Sequence, residues 1–95
     1  MAVVVPVYEE ESRIGSVLEP LIDRFPDEEI IVVDDGSSDG TARVVSDFDV
    51  VLLQHAINLG KGAALRTGAR YARRHGYEHV VFVDGDVQHS LDCIG

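Results

Sequence analysis

A 95-residue chain with 17 acids against 8 bases and a net charge of −9 is poorly suited to nonspecific nucleic-acid binding, which depends on Lys and Arg neutralising phosphates. Its apolar content of 45% and charged content of 26% are those of a folded soluble chain, and nothing in it approaches the ~20 apolar residues of a membrane span or the pattern of a secretory leader. A cytoplasmic protein of one domain, or part of one, is expected, and the lone Cys93 excludes an internal disulfide and a multi-cysteine zinc cage.

Ala2 to Val7 is an unbroken apolar run and reads as a strand buried on both faces. It exits through Pro6-Val7-Tyr8-Glu9-Glu10-Glu11. Pro6 fixes a bend there, Tyr8 can stack on a base, and Glu10 can accept from a base or ribose. A solvated acidic turn accounts for the glutamates equally well. Ile14, Val17, Leu18, Leu21, Ile22 and Phe25 then follow the spacing of one helical face, with Ser12 as N-cap, and Pro20 predicts a kink or break.

Glu29 to Asp34 is the second strand, and it runs into Asp34-Asp35-Gly36-Ser37-Ser38-Asp39-Gly40-Thr41. Paired acids at a strand end, followed by glycine and hydroxyl residues opening a short helix near Thr41, can accept hydrogen bonds from a nucleoside. In the alternative, Asp39 or Ser37 merely caps the helix.

Val50 to Gln54 is the third strand, followed by Asn58-Leu59-Gly60-Lys61-Gly62-Ala63-Ala64-Leu65-Arg66-Thr67-Gly68. A phosphate-binding P-loop would need glycine where His55 stands and Ser or Thr where Gly62 stands. What remains is a helix from about Gly62 to His75, stopped by Gly76. Its N-terminal amides, with Lys61 and Arg66, would bring positive charge near a diphosphate. The bland alternative is that the glycines let the helix pack closely on a sheet. Lys61 is the only lysine beside seven arginines, an imbalance that suits either a high-salt cytoplasm or a GC-rich genome.

His79 to Asp84 is the fourth strand, and it leads into Asp84-Gly85-Asp86-Val87-Gln88-His89. Two carboxylates ~4 Å apart repel by about 4 kcal/mol at an effective dielectric near 20, so holding both charged favours a bound divalent cation. Gln88 can add a neutral oxygen on the side of Asp86. An aspartyl-phosphate phosphotransferase also begins with Asp-x-Asp, but would want Thr at Gln88. The element order is βαβαβαβ, an α/β, Rossmann-like and mostly parallel sheet with right-handed crossovers, and all four polar segments share the carboxyl rim where ligands bind.

As a set, V-V-P-V-Y-E-E, E-I-I-V-V-D-D-G-S-S-D-G-T, N-L-G-K-G-A-A-L-R-T-G and V-F-V-D-G-D-V-Q-H resemble the N-terminal half of a family 2 glycosyltransferase of GT-A fold. The polyprenyl- or dolichyl-phosphate mannosyl and glucosyl transferases are the nearest subgroup. The resemblance implies that Pro6, Tyr8, Glu10, Val33 and Asp35 line a pocket for base and ribose. Asp84, Gly85 and Asp86 would meet the ribose and diphosphate of a nucleotide-diphosphate sugar, with Asp84, Asp86 and Gln88 turned to Mg2+ or Mn2+. The subgroup commonly reads D-A-D-x-Q-H-P, whereas Gly85 and Ser90 stand here for the alanine and proline.

The implied acceptor is a lipid phosphate at a membrane surface, which would place the full-length protein at the cytoplasmic membrane face. The family's catalytic base lies downstream of the metal motif, so the chain is expected to be the donor half-site of a longer transferase domain, inactive alone. A noncatalytic nucleotide-binding module is the competing expectation.

Overall fold

A computed structural model describes residues 1–83 and the backbone of residues 91–94. In chain order it forms β1 (Ala2–Val7), α1 (Ile14–Arg24), β2 (Glu29–Asp34), α2 (Thr41–Val45), β3 (Val51–Gln54), α3 (Lys61–Arg74), β4 (Val80–Val83) and β5 (Leu91–Ile94). The sheet order is β3-β2-β1-β4-β5. The first four strands run parallel, as the βαβ pattern requires, while β5 pairs antiparallel with β4, Val80 opposite Ile94 and Val83 opposite Leu91. This edge strand is an addition to the four read from the sequence.

Side-chain alternation divides the strands between two cores. Val3, Val5, Val7, Ile30 and Val32 pack with Ile14, Leu18 and Leu21 of α1 and Val45 of α2. Ala2, Val4, Ile31 and Val33 face the other way, onto Ala64 and Ala72 of α3. The result is a sheet with α1 and α2 on one face and α3 on the other, which explains why β1 is apolar throughout and β2 at every position but its ends.

The close approach of α3 depends on Gly68. A Cβ at that position would lie 2.4 Å from Val4 Cγ1 and 3.3 Å from Val33 Cγ2. The small residues on this helix therefore bring the sheet and the helix backbone together, the packing reading of the glycine-rich string.

Two helix expectations need correction. Arg13, not Ser12, holds the N-cap position of α1 and makes no side-chain cap. The Glu10 carbonyl accepts from the amides of Arg13 and Ile14 at 2.9 and 2.8 Å, so the turn itself satisfies donors a serine would have taken. The helix also continues through Pro20 to Arg24. Pro20 lies on the exposed face, so the Ser16 carbonyl it leaves without an amide faces water rather than core.

Sequence order turns back at β1: α1 and α2 carry the chain outward to β3 on one side, and α3 crosses the other face to β4. The carboxyl ends of β1 and β4 therefore border the crevice at which open parallel sheets bind ligands.

Candidate functional site

β1 and β2 end level, with Val7 opposite Asp34, and the Asp35 amide extends the ladder by donating to the Val7 carbonyl at 2.9 Å. Alternation then sends the two neighbouring acids to opposite faces. Asp34, 1% exposed, accepts from the Ser37 amide at 3.1 Å and the Ser37 hydroxyl at 2.5 Å on the α1 side. Asp35 turns to the α3 side.

On the α1 side the acidic loop after β1 is laced to the hydroxyl-rich loop after β2. The Glu9 amide donates to Ser37 Oγ at 2.8 Å, and Glu9 Oε2 accepts from the amide and hydroxyl of Ser38 at 2.9 and 2.6 Å. The Glu10 amide donates to Thr41 Oγ1 at 2.9 Å, and Glu11 Oε1 accepts from the Gly40 amide at 3.0 Å. Asp39 accepts from the Thr41 amide at 3.0 Å and from its hydroxyl, an arrangement that caps α2. The Thr41 hydroxyl bond holds the Asp39 carboxyl below the ordinary range. These acids serve mainly to bind two loops together, which neither a solvated turn nor a nucleoside site would have predicted.

On the α3 side lies a cleft of about 260 Å3, lined by Pro6, Tyr8, Glu10, Asp35, Asn58, Gly60, Lys61 and Ala64 among others. Tyr8 is 47% exposed and presents an aromatic face at the rim. Glu10 is held by Arg13, whose Nε donates to Glu10 Oε1 at 2.8 Å. Lys61 is the first residue of α3, so the amides of the first helical turn open beside the cleft.

Asp35 is held in this cleft by three donors. Its Oδ1 accepts from His55 Nδ1 at 2.8 Å and from the Leu59 amide at 2.9 Å, and its Oδ2 accepts from the Gly60 amide at 2.8 Å. Burial alone would raise its pKa; the hydrogen bonds from His55, Leu59 and Gly60 outweigh burial and hold the carboxyl below the usual carboxylate range. His55 Nε2 meets Thr67 Oγ1 at 2.8 Å. Asp35 thus ties the loop before α3 to the end of β2.

The cleft gathers Pro6, Tyr8, Glu10, Asp35 and Lys61 from the sequence-predicted set. Val33 is fully buried in the core under α3, beside Pro6 in the sheet, and does not itself line the cleft. Arg66 is an exposed residue of the second turn of α3, its guanidinium 3.6 Å from where a Cβ on Gly62 would be. Asp84, Gly85, Asp86 and Gln88 lie outside the described residues. Asn58 belongs to the cleft and His55 and Thr67 to its support, although none was singled out from the sequence. A polar residue one step past a strand end, as His55 is, was the available signal.

Among the described residues, no cluster of three His, Cys, Asp or Glu could hold a metal ion, and no helix is long and apolar enough to cross a membrane. The ligands expected from the sequence, Asp84, Asp86 and Gln88, would offer oxygen donors, which suit Mg2+ or Mn2+ rather than a softer ion. A second cleft, of about 590 Å3, lies at the far end of α3 beside Arg73, Tyr77, Val80 and Phe82. It borders the start of β4, away from the carboxyl rim.

Residues 2–95 match the family model described as Glycosyl transferase family 2. A relative from Trichomonas vaginalis, dolichyl-phosphate beta-glucosyltransferase ALG5D, is 38% identical over 97% of this chain and 32% of its own length. Glucosyl-3-phosphoglycerate synthase from Mycobacterium tuberculosis, solved with Mn2+, UDP and glucosyl-3-phosphoglycerate, is 30% identical with a TM-score of 0.70 over 88% of this chain and 32% of that one. A mannosyltransferase from Pyrobaculum calidifontis, solved with GDP-Man and Mn2+, is 32% identical with a TM-score of 0.68 over 90% of this chain and 27% of that one. The chain spans between 32% and 42% of the length of the curated relatives it matches first.

Proposed function

The chain belongs to glycosyl transferase family 2, and we propose that it is the donor-binding part of a single GT-A domain that transfers a sugar from a UDP- or GDP-linked donor to a polyprenyl or dolichyl phosphate. The observation that carries this reading is the cleft at the carboxyl ends of β1 and β2, where Tyr8, Glu10, an ionised Asp35 and the N-terminus of α3 converge. The named activity of the dolichyl-phosphate relative supports the acceptor class, and the UDP and GDP-Man complexes support the donor class.

Each group has a role set by its chemistry. Tyr8 offers a surface on which a base stacks. Asp35, acceptor only while ionised, takes an N–H from the base, and Glu10 takes a ribose hydroxyl. Lys61 and the first-turn amides of α3 favour the diphosphate; Arg66, one turn on, adds positive charge at longer range. Asp84, Asp86 and Gln88 would hold Mg2+ or Mn2+, which when bound stabilises charge developing on the departing nucleoside diphosphate. An acceptor phosphate oxygen is already anionic when it attacks the anomeric carbon, so this transfer needs no strong general base. With such an acceptor, the full-length protein works at the cytoplasmic face of a membrane.

Calorimetric titration with UDP-glucose and GDP-mannose, with and without Mn2+, tests this reading. One donor is expected to bind, more tightly by about tenfold with Mn2+, and Asp86→Ala is expected to remove that increment. Affinity indifferent to Mn2+, or unchanged in the Asp86→Ala chain, would defeat the metal bridge.

A further inference from the structure

We propose that His55 is a positioning residue for donor recognition: by filling one acceptor position of Asp35 it fixes the plane of the carboxylate and the single acceptor position left for a bound base, and Thr67 fixes the tautomer in which it does so. The inference rests on the donor-binding reading of the cleft and names the device that makes the cleft selective.

The assignment follows from donor and acceptor counting. An ionised carboxylate only accepts, so His55 Nδ1, 2.8 Å from Asp35 Oδ1, carries the proton. In the neutral ring Nε2 is then the acceptor, and the Thr67 hydroxyl 2.8 Å away donates to it. His55 is gripped at both ring nitrogens, with its side chain 10% exposed, and its amide continues the sheet by donating to the Asp34 carbonyl at 2.9 Å. The ring therefore cannot turn without breaking two hydrogen bonds.

The consequence falls on Asp35. Oδ1 is filled by His55 and the Leu59 amide, whereas Oδ2 receives one donor, the Gly60 amide. A carboxylate oxygen accepts two, so the remaining acceptor position belongs to Oδ2 in a residue that lines the cleft. An acceptor fixed there favours a base with a ring N–H, as in uracil or guanine, over cytosine, whose ring nitrogen at that edge is itself an acceptor. Without His55 a second acceptor position opens on Oδ1 and only the Leu59 and Gly60 amides hold the carboxylate plane, so this preference weakens.

The readout is therefore a ratio: affinity for the better-bound of UDP and GDP over affinity for CDP, by calorimetry with Mg2+. His55→Ala is expected to reduce the ratio by about tenfold, the worth of one charge-assisted hydrogen bond. His55→Asn, whose amide nitrogen can stand near the Nδ1 position and donate to Asp35, is expected to restore most of it and serves if the alanine chain folds poorly. Leu18→Ala, in the core under α1 on the opposite face of the sheet, is expected to lower Tm and leave the ratio unchanged. An unchanged ratio in His55→Ala, or a loss in Leu18→Ala as large as in His55→Ala, overturns the proposal. A wild-type chain that binds neither UDP nor GDP removes the donor-binding reading itself, and the proposal with it.

Discussion

Gly36→Ala is expected to cost about 3 kcal/mol or more, a large part of the 5–15 kcal/mol that holds a domain of this kind folded. Two penalties coincide there. Gly36 has φ +77, a conformation in which a side chain is strained whatever the space around it. A methyl would also lie 2.4 Å from the Ile57 carbonyl carbon and 2.6 Å from the Asn58 amide. Both are backbone atoms, so no side-chain rotation relieves the overlap, and the 55–60 loop must leave its seat against β2. Gly60 separates the two penalties: its φ is +99, yet nothing lies within 4 Å of a Cβ there. Gly60→Ala should therefore cost only the strain, about 1–3 kcal/mol. Urea midpoints of both variants check the contrast, and equal midpoints would mean that the loop yields easily.

Asp35→Asn is expected to destabilise the chain by about 2–3 kcal/mol and to abolish measurable nucleotide binding. If the amide oxygen takes the Oδ1 position, it can still accept from His55 and Leu59. Its NH2 then faces the Gly60 N–H, donor against donor, and the acceptor that Oδ2 offers the cleft is gone. Because the Asp35 pKa is depressed in the folded chain, its contribution has a definite dependence on pH. It is fully present above the ordinary aspartate value of about 3.9 and is lost as the pH falls through the lower folded-state value. Acid unfolding of the wild-type chain should show this loss, and the Asp35→Asn chain should lack that part of the profile. Unaltered nucleotide affinity in Asp35→Asn would place base recognition elsewhere.

The strands were legible wherever burial on both faces demanded an unbroken apolar run. β1 and β2 begin and end where the Val and Ile runs do, and β3 and β4 begin one residue later than their apolar patterns suggested. β5 left no comparable signal, since Leu91-Asp92-Cys93-Ile94 is too short to show a period. Pro20 misled because its effect depends on which side of α1 it occupies, and exposure is a tertiary fact.

At the site, the motif string marked Asp34 and Asp35 as a pair, but their separate tasks come from the pleat, which turns one toward Ser37 and the other toward the cleft. His55 and Thr67 were harder still. They stand 12 residues apart, with His55 20 residues from Asp35, and only the return of α3 across the sheet brings the three together. Glu9 and Glu11 looked like free acids because the partners of their carboxylates, the amide and hydroxyl of Ser38 and the amide of Gly40, lie 29 residues away.

If the cleft between Tyr8, Asp35 and the start of α3 receives the donor nucleotide, as proposed, the amides that line it must sense the donor. Amide shift mapping of the 15N-labelled 10.4 kDa chain, titrated with UDP-glucose and GDP-mannose in Mg2+, tests it most directly. The predicted result is a set of perturbations centred on the amides of Tyr8, Asp35, Asn58, Gly60 and Lys61 for at least one donor. Perturbations centred instead on Arg73, Tyr77 and Phe82 at the far end of α3, or none with either donor, would contradict it.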